Sequence, residues 1–192
     1  MKLSLKESEN VKKSMYVQVG LPICREGVEP RSRTVTVKTR EGLIEWKDDT
    51  IEACVALCTW EMLEIPETKK AILGLMQTLG EAPVDALEVL NDLESRRAIV
   101  YFDKENPEQT VAVLKELQLV PQGYLPIFSK PDAYHLCLAR RDIRVSETTY
   151  WLWIKLQQGQ SIEEIMKQLN LTALSLIERL FELIDDQLLV LI

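Results

Sequence analysis

The residues of this chain best suited to covalent or metal chemistry are few. They are four cysteines, Cys24, Cys54, Cys58 and Cys137, and the single histidine, His135. Cys54 and Cys58 are one helical turn apart, and His135 and Cys137 are two apart on one strand, where they share a face. A structural zinc site needs four nitrogen or sulfur ligands, and this inventory barely supplies them. No pair has C-x-x-C spacing, and His135 and Cys137 read as packing residues. A nucleophilic cysteine needs a base, and only a distant fold contact could bring His135 to Cys24, Cys54 or Cys58. No glycine-rich phosphate loop, G-x-S-x-G, H-E-x-x-H or Walker pattern occurs. The expectation is no catalytic residue, no metal and no cofactor.

Charge is the other chemistry on offer. Arg31, Arg33, Lys38 and Arg40 cluster in one segment, and Arg140, Arg141 and Arg144 in another. Each reads as a solvated hairpin face or as a steering patch for an acidic partner. The whole chain has 23 Lys plus Arg against 30 Asp plus Glu, a net charge of -7, which is the wrong sign for binding led by phosphates. With 46% hydrophobic and 28% charged residues it has ordinary globular composition. The start, MKLSLKESENVKK, has no apolar signal segment, and no run is long enough to span a membrane. With so few cysteines, a reduced, cytoplasmic setting is expected.

These residues sit on elements that recur. GLPI (20–23) returns as YLPI (124–127), and VTVKTREGLIEW (35–46) as YHLCLARRDIRV (134–145). Each longer segment is two alternating runs around a polar turn, the pattern of a β-hairpin. At a constant offset of 99, Val35, Val37, Ile44 and Trp46 match Tyr134, Leu136, Ile143 and Val145. Ile51, Cys54, Val55 and Leu57 then match Tyr150, Trp153, Ile154 and Leu156, both at helical spacing. DALEVLNDLESRRAIVYF (85–102) matches SLIERLFELIDDQLLVLI (175–192) at offset 90, so the first copy holds nine extra residues. The expected division is 1–103 with an N-terminal extension and a helical insertion, a connecting helix over 104–119, and 120–192. In the connector, Asn106 with Gln109 has capping-box spacing, and Pro107 suits the first helical position.

The second copy is the cleaner one. Ser161 with Glu164 is a capping box opening a helix over 161–169; a helix over 172–186 and a strand over 188–192 follow. Tyr150, Trp151 and Trp153 mark the central helix of the module, buried on two sides, with an exposed aromatic anchor for a partner as the alternative. The terminal LLVLI should pair within the protein or form a dimer edge. Three strands, three helices and a strand make winged-helix order. The fold class is therefore α+β, as tandem modules of a small antiparallel sheet on three helices.

DIRVSETTYWLWIKLQQGQSIEEIMKQL resembles the PqqD-like fold, the precursor-peptide recognition element. Ile143, Val145, Ser146 to Thr149, Ile154, Leu156, Gly159 and Ser161 to Ile165 follow that family's order. The first copy matches weakly, without the glycine. The resemblance implies a non-catalytic module in which a partner peptide joins the edge strand beside the third helix. Carried over, strand 142–145 and helix 172–186 form one groove, and strand 43–46 and helix 84–95 the other.

A winged helix suggests DNA as well, but the third helices are acidic. Glu178, Glu182, Asp185 and Asp186 face one base, Arg179; Asp85, Glu88, Asp92 and Glu94 precede Arg96 and Arg97. The expected activity is peptide or protein binding, with Ile143, Arg144, Val145, Glu178, Arg179, Glu182, Ile44, Trp46 and Glu88 lining the site. A DNA-binding regulator using the basic hairpins is the alternative.

Overall fold

The computed structural model describes residues 14–27, 33–78, 86–126 and 133–192. The expected N-terminal extension, Arg31, Asp85 and the isoleucine of the second LPI run lie outside the described residues. The protein is mixed α+β with small antiparallel sheets, and the chain divides into two compact units. The first comprises Ser14–Phe102 with Leu191–Ile192, and the second Asp103–Val190.

In the first unit, β1 (Met15–Gln18) pairs antiparallel with β5 (Ile99–Phe102). Strands β2 (Leu21–Glu26), β3 (Thr34–Thr39) and β4 (Gly42–Lys47) form an antiparallel sheet in that order. The helices are α1 (Ile51–Met62), α2 (Lys69–Thr78) and α3 (Ala86–Ser95). Alternation along β3 turns Val35 and Val37 inward, onto a core that holds Leu57 and Trp60 of α1, Ile72 of α2, and Leu90 and Leu93 of α3.

The second unit begins with α4 (Pro107–Leu114), which packs on α7 (Ala173–Asp185). Between them come β6 (Leu119–Pro121), the hairpin β7 (Tyr134–Leu138) and β8 (Arg141–Val145), α5 (Glu147–Gln157) and α6 (Ile162–Leu169); β9 (Leu189–Leu191) follows and pairs with β6. Helix α7 buries Ala173, Leu176, Ile177, Leu180, Phe181, Leu183 and Ile184. Apolar residues on that much of its circumference make it the centre of the unit. No helix among the described residues is long and apolar enough to cross a membrane.

Backbone details recur between the units. The last helix of each, α3 or α7, is followed by a left-handed residue, Arg97 (φ 55°) or Gln187 (φ 61°). The next amide turns back onto the helix, Ala98 N to Leu93 O at 2.9 Å and Leu188 N to Leu183 O at 2.7 Å. That residue's carbonyl then accepts from the first-strand side, Val19 N to Ala98 O and Gln122 N to Leu188 O, both at 2.8 Å. Immediately afterwards comes a glycine at positive φ, Gly20 or Gly123. A Cβ there would lie 2.5 Å from Val37 Cγ1 or 2.3 Å from the Cys137 carbonyl oxygen. The carbonyl before each glycine accepts an indole N–H, from Trp60 to Val19 at 2.9 Å and from Trp153 to Gln122 at 3.0 Å.

Some local expectations change and others are met. The GLPI run enters a strand, so the first unit has four strands before its helices. Asn106 flanks α4, but its side chain makes no capping bond; its amide donates to Asp103 Oδ2 at 2.8 Å instead. Arg33 does not belong to a solvated hairpin face. It bonds Asp48 and Glu61, each at 2.9 Å, and Asp48 has no exposed side-chain surface. Trp153 is buried, but Trp151 is 43% exposed. LLVLI is paired within the chain, with Leu189 and Leu191 buried. The Ser161–Glu164 capping box is formed.

Candidate functional site

The β7–β8 hairpin is held in register by five facing pairs, from Leu138–Arg141 to Tyr134–Val145. Cys137 exchanges both backbone bonds with Tyr124, each at 2.9 Å, so its polar backbone points away from β8. Antiparallel neighbours alternate between pairs that bond each other and pairs that point outward. Asp142 faces Cys137, and Arg144 lies two residues on. The N–H and C=O groups of Asp142 and Arg144 therefore point to the outer edge of β8, which pairs with β7 alone among the described residues.

Side chains divide by the same alternation. Ile143 and Val145 are half-buried, on the face of the wholly buried Leu136. Asp142 and Arg144 are exposed on the opposite face. There His135 Nδ1 lies 2.8 Å from Asp142 Oδ1, which engages that carboxylate. Arg140 and Arg144 have no ion-pair partner among the described residues, whereas Arg141 donates to the Asp186 carbonyl at 3.3 Å.

Helix α7 presents its polar residues to this region through a hydrogen-bonded chain. Ser146 caps α5, accepting from Thr149 N at 3.1 Å. The fully buried Thr149 donates its hydroxyl to Glu182 Oε2 at 2.7 Å. A carboxylate only accepts, so Ser146 supplies the proton shared with Thr149 Oγ1 at 2.7 Å. The other Glu182 oxygen accepts from Arg179. The turn after β8 is thereby fastened to the last turn of α7. Glu178 faces Lys104 at 3.9 Å, and burial holds that ammonium below its ordinary range while Glu178 opposes the shift.

Of the residues expected at the site, Ile143 and Val145 share a face of β8 and Arg144 takes the other. Glu178, Arg179 and Glu182 lie on one side of α7, already engaged with neighbours. In the first unit Ile44 is 48% exposed, Trp46 packs on Trp60 with ring centroids 5.4 Å apart, and Glu88 is exposed on α3. Among the described residues the first unit shows no counterpart of the Thr149–Glu182 link; Asp92, at the corresponding place, pairs with Arg96 in its own helix. Sequence reasoning missed Thr149, whose role depends on a helix 33 residues away, and the place of Tyr134 beside Tyr150; the exposed Trp151 fits the aromatic-anchor alternative, whereas the buried Trp153 is core. Rings of Tyr134 and Tyr150 are 5.1 Å apart, and those of Tyr150 and Trp151 meet edge-on at 5.5 Å. Three aromatic residues flanking β8 in the sequence were the available signal.

Burial pushes Cys58 above its ordinary value, against the opposing pull of Arg33, whose guanidinium lies 3.2 Å from the sulfur. A protonated thiol is a poor nucleophile. Among the described residues no group of three or more His, Cys, Asp or Glu could hold a metal ion. No protein-family model, curated protein or solved structure matches the chain.

Proposed function

We propose that this chain is a non-enzymatic peptide- or protein-binding adaptor, built from two winged-helix modules of the PqqD-like kind in tandem, which takes a partner's strand onto the free edge of β8. The observation that carries the reading is the outward-pointing backbone of Asp142 and Arg144. An unpaired edge can hydrogen-bond an extended peptide, with side-chain pockets setting the choice. The repeated helix ends and glycine turns support the tandem reading.

The alternative is a winged-helix DNA-binding regulator. It rests on Arg140 and Arg144, exposed and without an ion-pair partner among the described residues, which a wing would bring to phosphates. Helix α7, the one such a fold would insert in the major groove, speaks against it, because its sides are buried and its acids outnumber its bases.

Arg144→Pro tests the reading. Proline at an outward-facing edge position removes one donor without breaking the β7 ladder. Peptides selected against the wild-type chain should lose at least about tenfold in affinity, a difference of about 1.4 kcal/mol. Arg144→Ala, which keeps the amide, separates the backbone contribution from the side chain's. Equal binding by wild type and Arg144→Pro contradicts edge addition.

A further inference from the structure

We infer that the β8 edge selects a strand of alternating composition, carboxylates on one face and apolar side chains on the other; this rests on the edge-addition reading above and gives the partner its chemistry. A strand laid beside β8 must place its alternate side chains on the two faces that β8 already defines. One face carries Arg144. Its neighbour Asp142 is engaged by His135, so the cation is left to meet a partner's carboxylate, with Arg140 in the turn four residues before it. The opposite face carries Ile143 and Val145. Val145 sits across from Tyr134, whose ring packs at a tilt against Tyr150, which in turn meets the 43% exposed Trp151. Tyr134 is fixed by its hydroxyl, which donates to Glu147 at 2.7 Å. A fixed aromatic row ending in an exposed tryptophan is the type of anchor that dominates binding energy at interfaces.

The first unit shows the contrast. Its corresponding strand, β4, carries Leu43 and Glu45 where β8 carries Asp142 and Arg144. Ile51 and Glu52 stand in place of Tyr150 and Trp151. The arginine and the aromatic row belong to the second unit alone, so the selectivity should reside there.

Three fluorescein-labelled peptides in a fluorescence anisotropy titration of the full chain test this. One alternates Glu and Leu, a second has the same residues in two blocks, and a third alternates Lys and Leu. The alternating acidic peptide should bind at least about tenfold tighter than either other peptide. Raised salt should weaken it, as should Arg144→Ala. Trp151→Ala should weaken it about tenfold at unchanged far-ultraviolet circular dichroism, with Trp151→Phe restoring part of the affinity. No binding of the acidic peptide, equal binding of the lysine peptide, or indifference to Trp151→Ala overturns the inference. If Arg144→Pro still abolishes binding of library-selected peptides, edge addition stands without this selectivity. If it does not, both fall.

Discussion

Arg33 meets three side chains: Asp48 accepts from both its amide and its guanidinium, Glu61 accepts from the guanidinium, and Cys58 lies beside it. Removing one partner of a buried ion pair strands the other's charge in poor solvent. Asp48→Ala should therefore cost about 3 kcal/mol in urea unfolding, and a cost under about 1 kcal/mol would mean that water replaces the carboxylate. Lys104 yields a prediction in pH. Burial lowers its folded-state value, so between that value and the ordinary 10.5 the unfolded chain holds more protons. Stability owed to this group must rise with pH across that window. Wild type minus Lys104→Met should show the rise in chemical denaturation, and a flat difference would contradict it. Single-residue roles of this kind were poorly legible in the sequence. Arg33 looked like part of a charged hairpin, because its partners lie 15 and 28 residues away.

At the scale of elements, the sequence was far more readable. Period-two runs became β3–β4 and β7–β8, and S-x-x-E gave the start of α6, because such signals need only neighbours within a few residues. The repeated LPI segments also marked a real feature, the glycine turn ahead of each hairpin. Which tryptophan holds it was not legible. Trp60 and Trp153 differ by 93 positions, whereas the helices that carry them align at 99; the same carbonyl is reached from different turns of the helix. Trp153→Phe should lose that hydrogen bond at a cost of about 1 kcal/mol by thermal or urea unfolding. Gly123→Ala should cost more than about 1 kcal/mol, because its Cβ would strike the Cys137 carbonyl and alanine resists positive φ. A neutral Gly123→Ala would show that the turn relaxes. The Asn106–Gln109 pattern misled for a local reason: the Asn106 side chain donates to Asp103 in the turn before the helix and accepts no capping bond.

For the whole molecule, net charge and the burial of α7 bear on the choice of partner. A chain of charge -7 whose central acidic helix is enclosed should not shift a random DNA duplex in a gel at about 150 mM salt. A salt-sensitive shift lost on Arg140→Ala and Arg144→Ala would favour the regulator. The most direct test of edge addition is amide hydrogen exchange in β8, followed by NMR with and without the alternating Glu–Leu peptide. The amides of Ile143 and Val145 already bond β7, whereas those of Asp142 and Arg144 point outward. Added peptide should slow exchange at Asp142 and Arg144 by at least about tenfold and leave Ile143 and Val145 nearly unchanged. Slowing at some other segment, with Asp142 and Arg144 untouched, would contradict strand addition at this edge.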